Sequence, residues 1–217
     1  MKRIVRVALV AVAAAAAAGP AAAQQERWIA RIRVLGVLPN YSSDVIANTG
    51  TTLKVGASGG GEAGITRFIK PNWALELSAL TTPVKLSTVG GQYPGLDVGQ
   101  VWLASGLLSL EYHFSTLGKL KPYLGVGAAY VRPMGYTLTA DMAAQGISNL
   151  TFTTSLRVFT QGGCDWQIGK GWRLNLDARY VPVTTRVNFH LPTGGSLANI
   201  ALVVDPILIG FGIAHTF

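Results

Sequence analysis

In residues 171–180, GWRLNLDARY, charged or amide side chains recur at every second position: Arg173, Asn175, Asp177 and Arg179. A period of two places all four on one face of a β-strand, with Trp172, Leu174, Leu176, Ala178 and Tyr180 on the other. Guanidinium and carboxylate groups so placed can pair and fill a polar interior. They do not make a nucleophile or a metal site. Other chemistry-bearing residues lead no further. His190 with Ser196, or His113 with Glu111, are fragments of a hydrolase site. No Ser-His-acid set falls at one height, however, and Glu111 and His113 are taken not to share a face. His113, His190 and His215 are too scattered to hold a metal. A lone Cys164 excludes an intramolecular disulfide and a cysteine-rich metal site. No cofactor and no catalysis are expected, and the question becomes what surrounds the charged row. The strand alone suits a soluble sandwich, with the apolar row inward, and a membrane barrel, with the apolar row toward lipid.

The chain's start favours the membrane. Lys2, Arg3 and Arg6 precede the run VALVAVAAAAAA, and small residues AAA stand before Gln24. This is the pattern of a secretory signal peptide, residues 1–23, ahead of a single mature domain of residues 24–217. The apolar run is short and Ala-rich for a membrane span, and no apolar stretch of about 18 residues follows, so an uncleaved anchor is the lesser reading. No Cys follows the cleavage point, which excludes a lipoprotein. Only 13% of residues are charged, against about 25% in ordinary soluble domains. The net charge of +8 falls to +5 without the three leader cations. With no basic block, this implies no nucleic-acid binding and at most contact with anionic lipid head groups.

Eight strands are predicted, at about 26–39, 59–69, 73–82, 100–114, 122–132, 153–168, 172–190 and 199–217. Links after the second, fourth and sixth are short: IKPN, STLGKLK and GKG. Those after the odd-numbered strands are longer, as in PVKLSTVGGQYPGLDV and PMGYTLTADMAAQGISNL. Alternating short and long links over an even number of strands is the pattern of an outer-membrane barrel, with turns on the periplasmic side and loops outside. The fold class expected is therefore all-β: an eight-stranded antiparallel up-and-down transmembrane barrel. In ILIGFGIAHTF, Ile207, Ile209, Phe211, Ile213 and Phe217 form an apolar row ending in an aromatic residue, with small residues between. Trp28, Trp73, Tyr112, Phe114, Trp166 and Trp172 fall near periplasmic strand ends and suit an interfacial girdle.

LLSLEYHF, a short turn and KPYLGVGAAY, then GGCDWQIGKGWRLNLDARYVPV and DPILIGFGIAHTF, together resemble the OmpW family of outer-membrane proteins, which includes the alkane-importing AlkL proteins. The resemblance spans nearly the whole mature chain. It implies an integral outer-membrane barrel of a Gram-negative bacterium that admits small hydrophobic molecules to a narrow apolar channel and releases them sideways. It also implies contact with outer-membrane lipids and lipopolysaccharide, and with the barrel-assembly machinery through the C-terminal strand.

The alternation in each strand tests that picture independently. Leu35 and Val37 stand above Arg31 and Arg33; Val101, Leu103 and Leu107 above Ser109, Glu111 and His113; Leu80 above Glu76; Phe159 above Gln161 and Asp165; and Val181 above Arg173, Asp177 and Arg179. Leu208 stands over small residues, and strand 59–69 is ambiguous in register. An apolar upper lumen of Leu35, Val37, Leu103, Leu107, Phe159, Val181 and Leu208 is the expected solute site. Below it, Arg31, Arg33, Glu76, Glu111, Asp165, Arg173, Asp177 and Arg179 form the expected polar plug, because charges inside so narrow a barrel must be paired. Pro182 and Pro206, lacking the N–H that a wall needs, mark either a lateral gap or strand ends. The rival reading is a non-transporting barrel that acts in adhesion or envelope integrity through its loops. N-terminal sequencing of the membrane-inserted protein should begin at Gln24; a retained Met1 would leave the leader reading without support.

Overall fold

The computed structural model describes residues 28–46, 48–114, 118–190 and 196–217. The expected leader, residues 1–23, lies outside them. In chain order the strands are β1 (Trp28–Leu38), β2 (Tyr41–Ser43), β3 (Thr52–Val55), β4 (Ser58–Phe68), β5 (Trp73–Val89), β6 (Asp97–His113), β7 (Leu120–Leu138), β8 (Asn149–Phe152), β9 (Ser155–Gln167), β10 (Trp172–Tyr180), β11 (Val183–His190), β12 (Ser196–Val204) and β13 (Ile207–Thr216). A short helix, α1 (Ala140–Ala144), lies between β7 and β8.

Eight of these strands close into an antiparallel barrel, in the order β5-β4-β1-β13-β10-β9-β7-β6 and back to β5. Closure joins the first strand to the last, from Ile29 opposite Thr216 to Leu38 opposite Ile207. No barrel strand is left as an open edge, the condition for backbone in hydrocarbon. The ambiguity of the alternating rows is thereby resolved. Leu156, Val34 and Val158 are 70%, 68% and 66% exposed on the outer wall, while Arg31, Arg33, Asn175, Asp177 and Arg179 are buried within. A soluble barrel would reverse that placement; here lipid takes the place of the apolar core.

Four expected strands have other limits. The predicted strand 172–190 is two, β10 and β11, parted at Val181–Pro182, and 199–217 is likewise parted into β12 and β13 at Asp205–Pro206. Proline cannot donate to a ladder; at Pro182 the chain leaves the barrel wall, and at Pro206 it enters it. The predicted strands 73–82 and 122–132 run on to Val89 and Leu138. Most of the presumed loop after residue 82 is therefore a hairpin arm. Leu86 is buried beneath exposed Lys85, so the period of two persists through the Ser and Thr residues there.

Above the wall, β2, β12, β11 and β8 form a second sheet at the long-loop end. It packs through Val187, Phe189, Ile200 and Leu202 onto Leu86 and Val101 of the extended barrel strands. Met142 of α1 is buried in the same cluster.

Candidate functional site

The lower lumen is filled by one polar network. Arg31 donates to Asp165 Oδ2 at 2.8 Å and to Glu76 Oε1 at 3.3 Å, and also bonds Thr66. Arg33 donates to Glu62 Oε1 and to Glu76 Oε1, each at 3.0 Å. Arg179 reaches the same two carboxylates, Glu62 at 2.7 Å and Glu76 at 3.3 Å, and lies 2.8 Å from Asp177 Oδ1. Asn175 donates to Asp165 Oδ1 at 2.7 Å, and the Tyr123 hydroxyl donates to Asp177 Oδ2 at 2.8 Å. Gln161 donates to Glu111 Oε1 at 2.6 Å. Arg173 lies at the lower rim, 3.8 Å from Asp165 and 11% exposed. The structure thus brings together all eight residues expected in the plug.

Two strands add groups that alternation did not single out. Glu62 of β4 bridges Arg33 and Arg179 but sits in a Gly-rich strand, SGGGEAGITRF, whose register the sequence left open. Tyr123 follows Pro122 at the start of β7, a strand whose inward row the sequence reading did not assign. His113, placed in the inward row of its strand, shares the luminal face with Glu111, its Nε2 at 2.8 Å from Oε2, which overturns the expectation that the two do not share a face. No serine nucleophile adjoins the pair among their hydrogen-bond partners. Strand β13 supplies space in place of charge: a side chain at Gly212 would lie 1.9 Å from Ile32 O, and one at Gly210 would lie 3.2 Å from Arg33 Cδ.

Over this floor stands an apolar layer. Leu35, Val37, Leu107, Phe159, Val181 and Leu208 form one cluster with Leu80 and Ala129. Val37, Leu103, Leu107, Val181 and Leu208 line a chamber of about 130 Å³. Leu35 and Phe159 pack beneath it, between chamber and ions, and Leu103 also packs against the upper cluster. Ser58, Thr82, Ser105, Thr153, Ser155 and Thr185 place hydroxyl-bearing residues among a lining that is mostly hydrocarbon.

The chamber reaches the wall at two interrupted seams. Backbone pairing of β10 with β9 ends at Tyr180 opposite Thr160. Above that, the Ser155 hydroxyl and the Arg157 guanidinium both donate to Thr184 O, at 3.1 and 2.9 Å, in place of a ladder. Val181 N donates to Pro206 O at 3.2 Å, so the next residue, Pro182, turns its donor-less nitrogen toward β9 and this window. Pro206 lies in a better-stitched part of the wall, where Asp205 N donates to Asn40 O at 2.7 Å just above it. The second seam is at Pro83, which sequence analysis placed in a loop. Pairing of β4 with β5 lapses between Gly61 opposite Thr81 and the bond from Gly56 N to Lys85 O, 3.0 Å. Pro83 is the intervening residue whose backbone should donate to β4.

The OmpW family model matches residues 24–217. The chain belongs to the OmpW family. An uncharacterized outer-membrane protein, y4mB, of Sinorhizobium fredii is 32% identical over 197 residues, covering 90% of this chain and 82% of that protein. Outer membrane protein AlkL of Ectopseudomonas oleovorans is 28% identical over 184 residues, covering 84% and 72% of the two chains. The crystal structure of OprG from Pseudomonas aeruginosa superposes with a TM-score of 0.77 at 20% identity, over 88% of this chain and 95% of that one. This OmpW-family chain is therefore an integral β-barrel of the bacterial outer membrane, its short turns facing the periplasm. Its relatives are outer-membrane barrels like it.

Arg31→Met removes the cation that joins Asp165, Glu76 and Glu111 and leaves their charges uncompensated. The expected loss is about 3–5 kcal/mol of stability, read as a lower urea midpoint in lipid vesicles. Lys70→Met, at an exposed turn, should leave the midpoint unchanged.

Proposed function

We propose that the protein is a passive channel that takes small hydrophobic molecules into the apolar chamber and releases them sideways into the membrane. The carrying observation is the order of the lumen: a largely hydrocarbon-lined chamber directly over a floor in which Arg31, Arg33 and Arg179 and the Glu62 and Glu76 side chains they pair with are at most 1% exposed. Passage straight down would require an apolar solute to part several buried ion pairs. Passage outward exchanges one apolar surrounding for another. The family relationship to AlkL supports the same reading.

The exit we assign is the window between β9 and β10, beside Pro182. The chamber wall there includes Ser155, Val181 and Val183, and two side-chain hydrogen bonds replace the missing rungs. On the same basis the mature protein is residues 24–217. Lipopolysaccharide and the barrel-assembly machinery, the latter meeting the β13 edge before closure, are its partners in the envelope.

Uptake of an alkane-like reporter into proteoliposomes tests the proposal. Leu107→Asp or Leu103→Asp should abolish uptake while heat-modifiable gel mobility shows that the barrel still folds, because a charge removes contact surface valued at ~25 cal/mol per Å². Normal uptake by the folded variants would favour the adhesion or envelope-integrity reading.

The exit has its own test. Pro182→Val restores an N–H facing β9, at most about 1 kcal/mol of hydrogen bonding, and Pro206→Val restores one facing β10. The double variant should import hydrophobic solutes more slowly, with Pro182→Val accounting for most of the change, and should leave small polar solutes unaffected. Wild-type import by the double variant would place the exit elsewhere, with the Pro83 seam next in line. If instead neutralising Arg33 and Asp177 sends solute straight to the periplasm, the channel is a conventional pore.

A further inference from the structure

Among the described side chains of its short turns, the periplasmic rim is charged in one sense only. The three turns carry Lys70, Lys119 and Lys170, with Arg67 one strand position above. Lys121, opposite Asp165 and alternating with buried Tyr123, lies on the luminal face and is not part of this set. Among the described residues of this rim there is no Asp or Glu. The nearest carboxylates, Glu111 and Asp165, are fully buried in the floor and held by Arg31 at 3.9 and 2.8 Å. None of the three turn lysines forms an ion pair with a described residue. The extracellular end differs: there Lys54, Lys85, Arg132 and Arg186 are interspersed with Asp44, Asp97, Asp141 and Asp205.

Directly above the lysines lies the aromatic belt. Trp73, Trp166 and Trp172 are 40%, 51% and 48% exposed on the outer wall, and Tyr112 makes edge contacts with Trp73 and Phe114. The Arg67 guanidinium lies over the Trp28 ring, 5.2 Å from its centre, which ties the cationic rim to the belt. Amphipathic rings settle at the depth where acyl chains give way to head groups. Lysines one turn beyond the rings, on flexible stems, reach the phosphates of the same lipids.

We propose that this rim selects anionic glycerophospholipids of the inner leaflet, with the lysine ammonium groups on lipid phosphate and head-group charge and the aromatic belt on the upper acyl chain. The lysines occupy all three turns and so surround the barrel, as annular lipid does. A polymer approaching from the periplasm would be met by one flat patch.

The test uses the full-length membrane protein in phosphatidylcholine vesicles doped with brominated phosphatidylglycerol or brominated phosphatidylcholine, read by tryptophan quenching. Four of the five tryptophans, Trp28, Trp73, Trp166 and Trp172, lie in this belt, so the signal reports on the rim. Phosphatidylglycerol should be preferred by about fivefold or more at low salt, the factor expected of a single cation at head-group depth. The preference should vanish at about 1 M salt, where the Debye length is about 3 Å.

Combining Lys70→Gln, Lys119→Gln and Lys170→Gln should abolish the preference with heat-modifiable mobility intact. Combining Lys54→Gln, Lys85→Gln and Arg132→Gln at the outer end should retain it. Equal quenching by both lipids in the wild type, or equal loss in both variants, overturns the proposal. Binding of the wild type to isolated cell-wall sacculi, lost with the three turn lysines and unaccompanied by lipid preference, would assign the rim to the cell wall instead. These outcomes are independent of solute uptake.

Discussion

Arg31, Arg33 and Arg179 lie in an interior sealed from water, and their need for carboxylate partners organises the lower half of the molecule. Seven of the eight wall strands contribute a partner or a supporting hydrogen bond: β1, β4, β5, β6, β7, β9 and β10. The eighth, β13, contributes the absence of side chains at Gly210, where the Arg33 stem passes, and at Gly212, where the β1 backbone comes close. Glu76 accepts from all three guanidinium groups, so a shift in strand register by one residue would strand several ions at once. The same network that fills the lumen therefore helps to fix the register around the barrel.

The change from ionic floor to apolar chamber is abrupt because one layer of side chains makes it. Phe159 lies between Gln161 below and the chamber above, and it fits only because the facing position in β7 is Gly127, where a Cβ would come within 2.6 Å of its ring. On the proposed route, an apolar molecule above this layer meets a mostly hydrocarbon lining and a floor closed by ion pairs. Lipid offers it a similar surrounding, so the proposed exit runs through the wall where hydrogen bonding is already incomplete.

The prolines supply that incompleteness without opening the barrel. At Pro182 the chain departs from the wall into the outer sheet and at Pro206 it returns from that sheet to the wall, and the sheet's apolar side closes over the chamber through Leu202 and Val204. Roof and window thus have one cause: strands that would have lengthened the barrel are redirected across its mouth. The rungs lost at β9 are partly replaced by Ser155 and Arg157 bonding to Thr184 O, side-chain bonds that can break and re-form without unravelling a strand.

By itself the sequence determined what depends on short-range alternation. The two rows of GWRLNLDARY, the short turns IKPN and GKG, and the vertical order of Leu107 over Glu111 or Val37 over Arg33 all follow from a period of two and the chain's direction, which no distant contact can alter. Whether the charged row faced in or out was not local information; it followed from the leader, the loop pattern and family resemblance, and finally from the closed wall. Only the tertiary structure decided what depends on neighbours across the barrel. Glu62 belongs to the floor because β4 pairs with β1 at Arg33 opposite Glu62, a register that a run of glycines does not encode. Pro83 sits at a seam because β5 runs seven residues past its predicted end, carried by pairing with β6 through Leu86 opposite Gly99. Pro182 and Pro206 read alike in sequence, yet one turns its missing donor toward an unpaired stretch of β9 and the other is stitched on both sides. That difference lies in the partner strand, and a single strand's sequence carries no record of its partner's backbone.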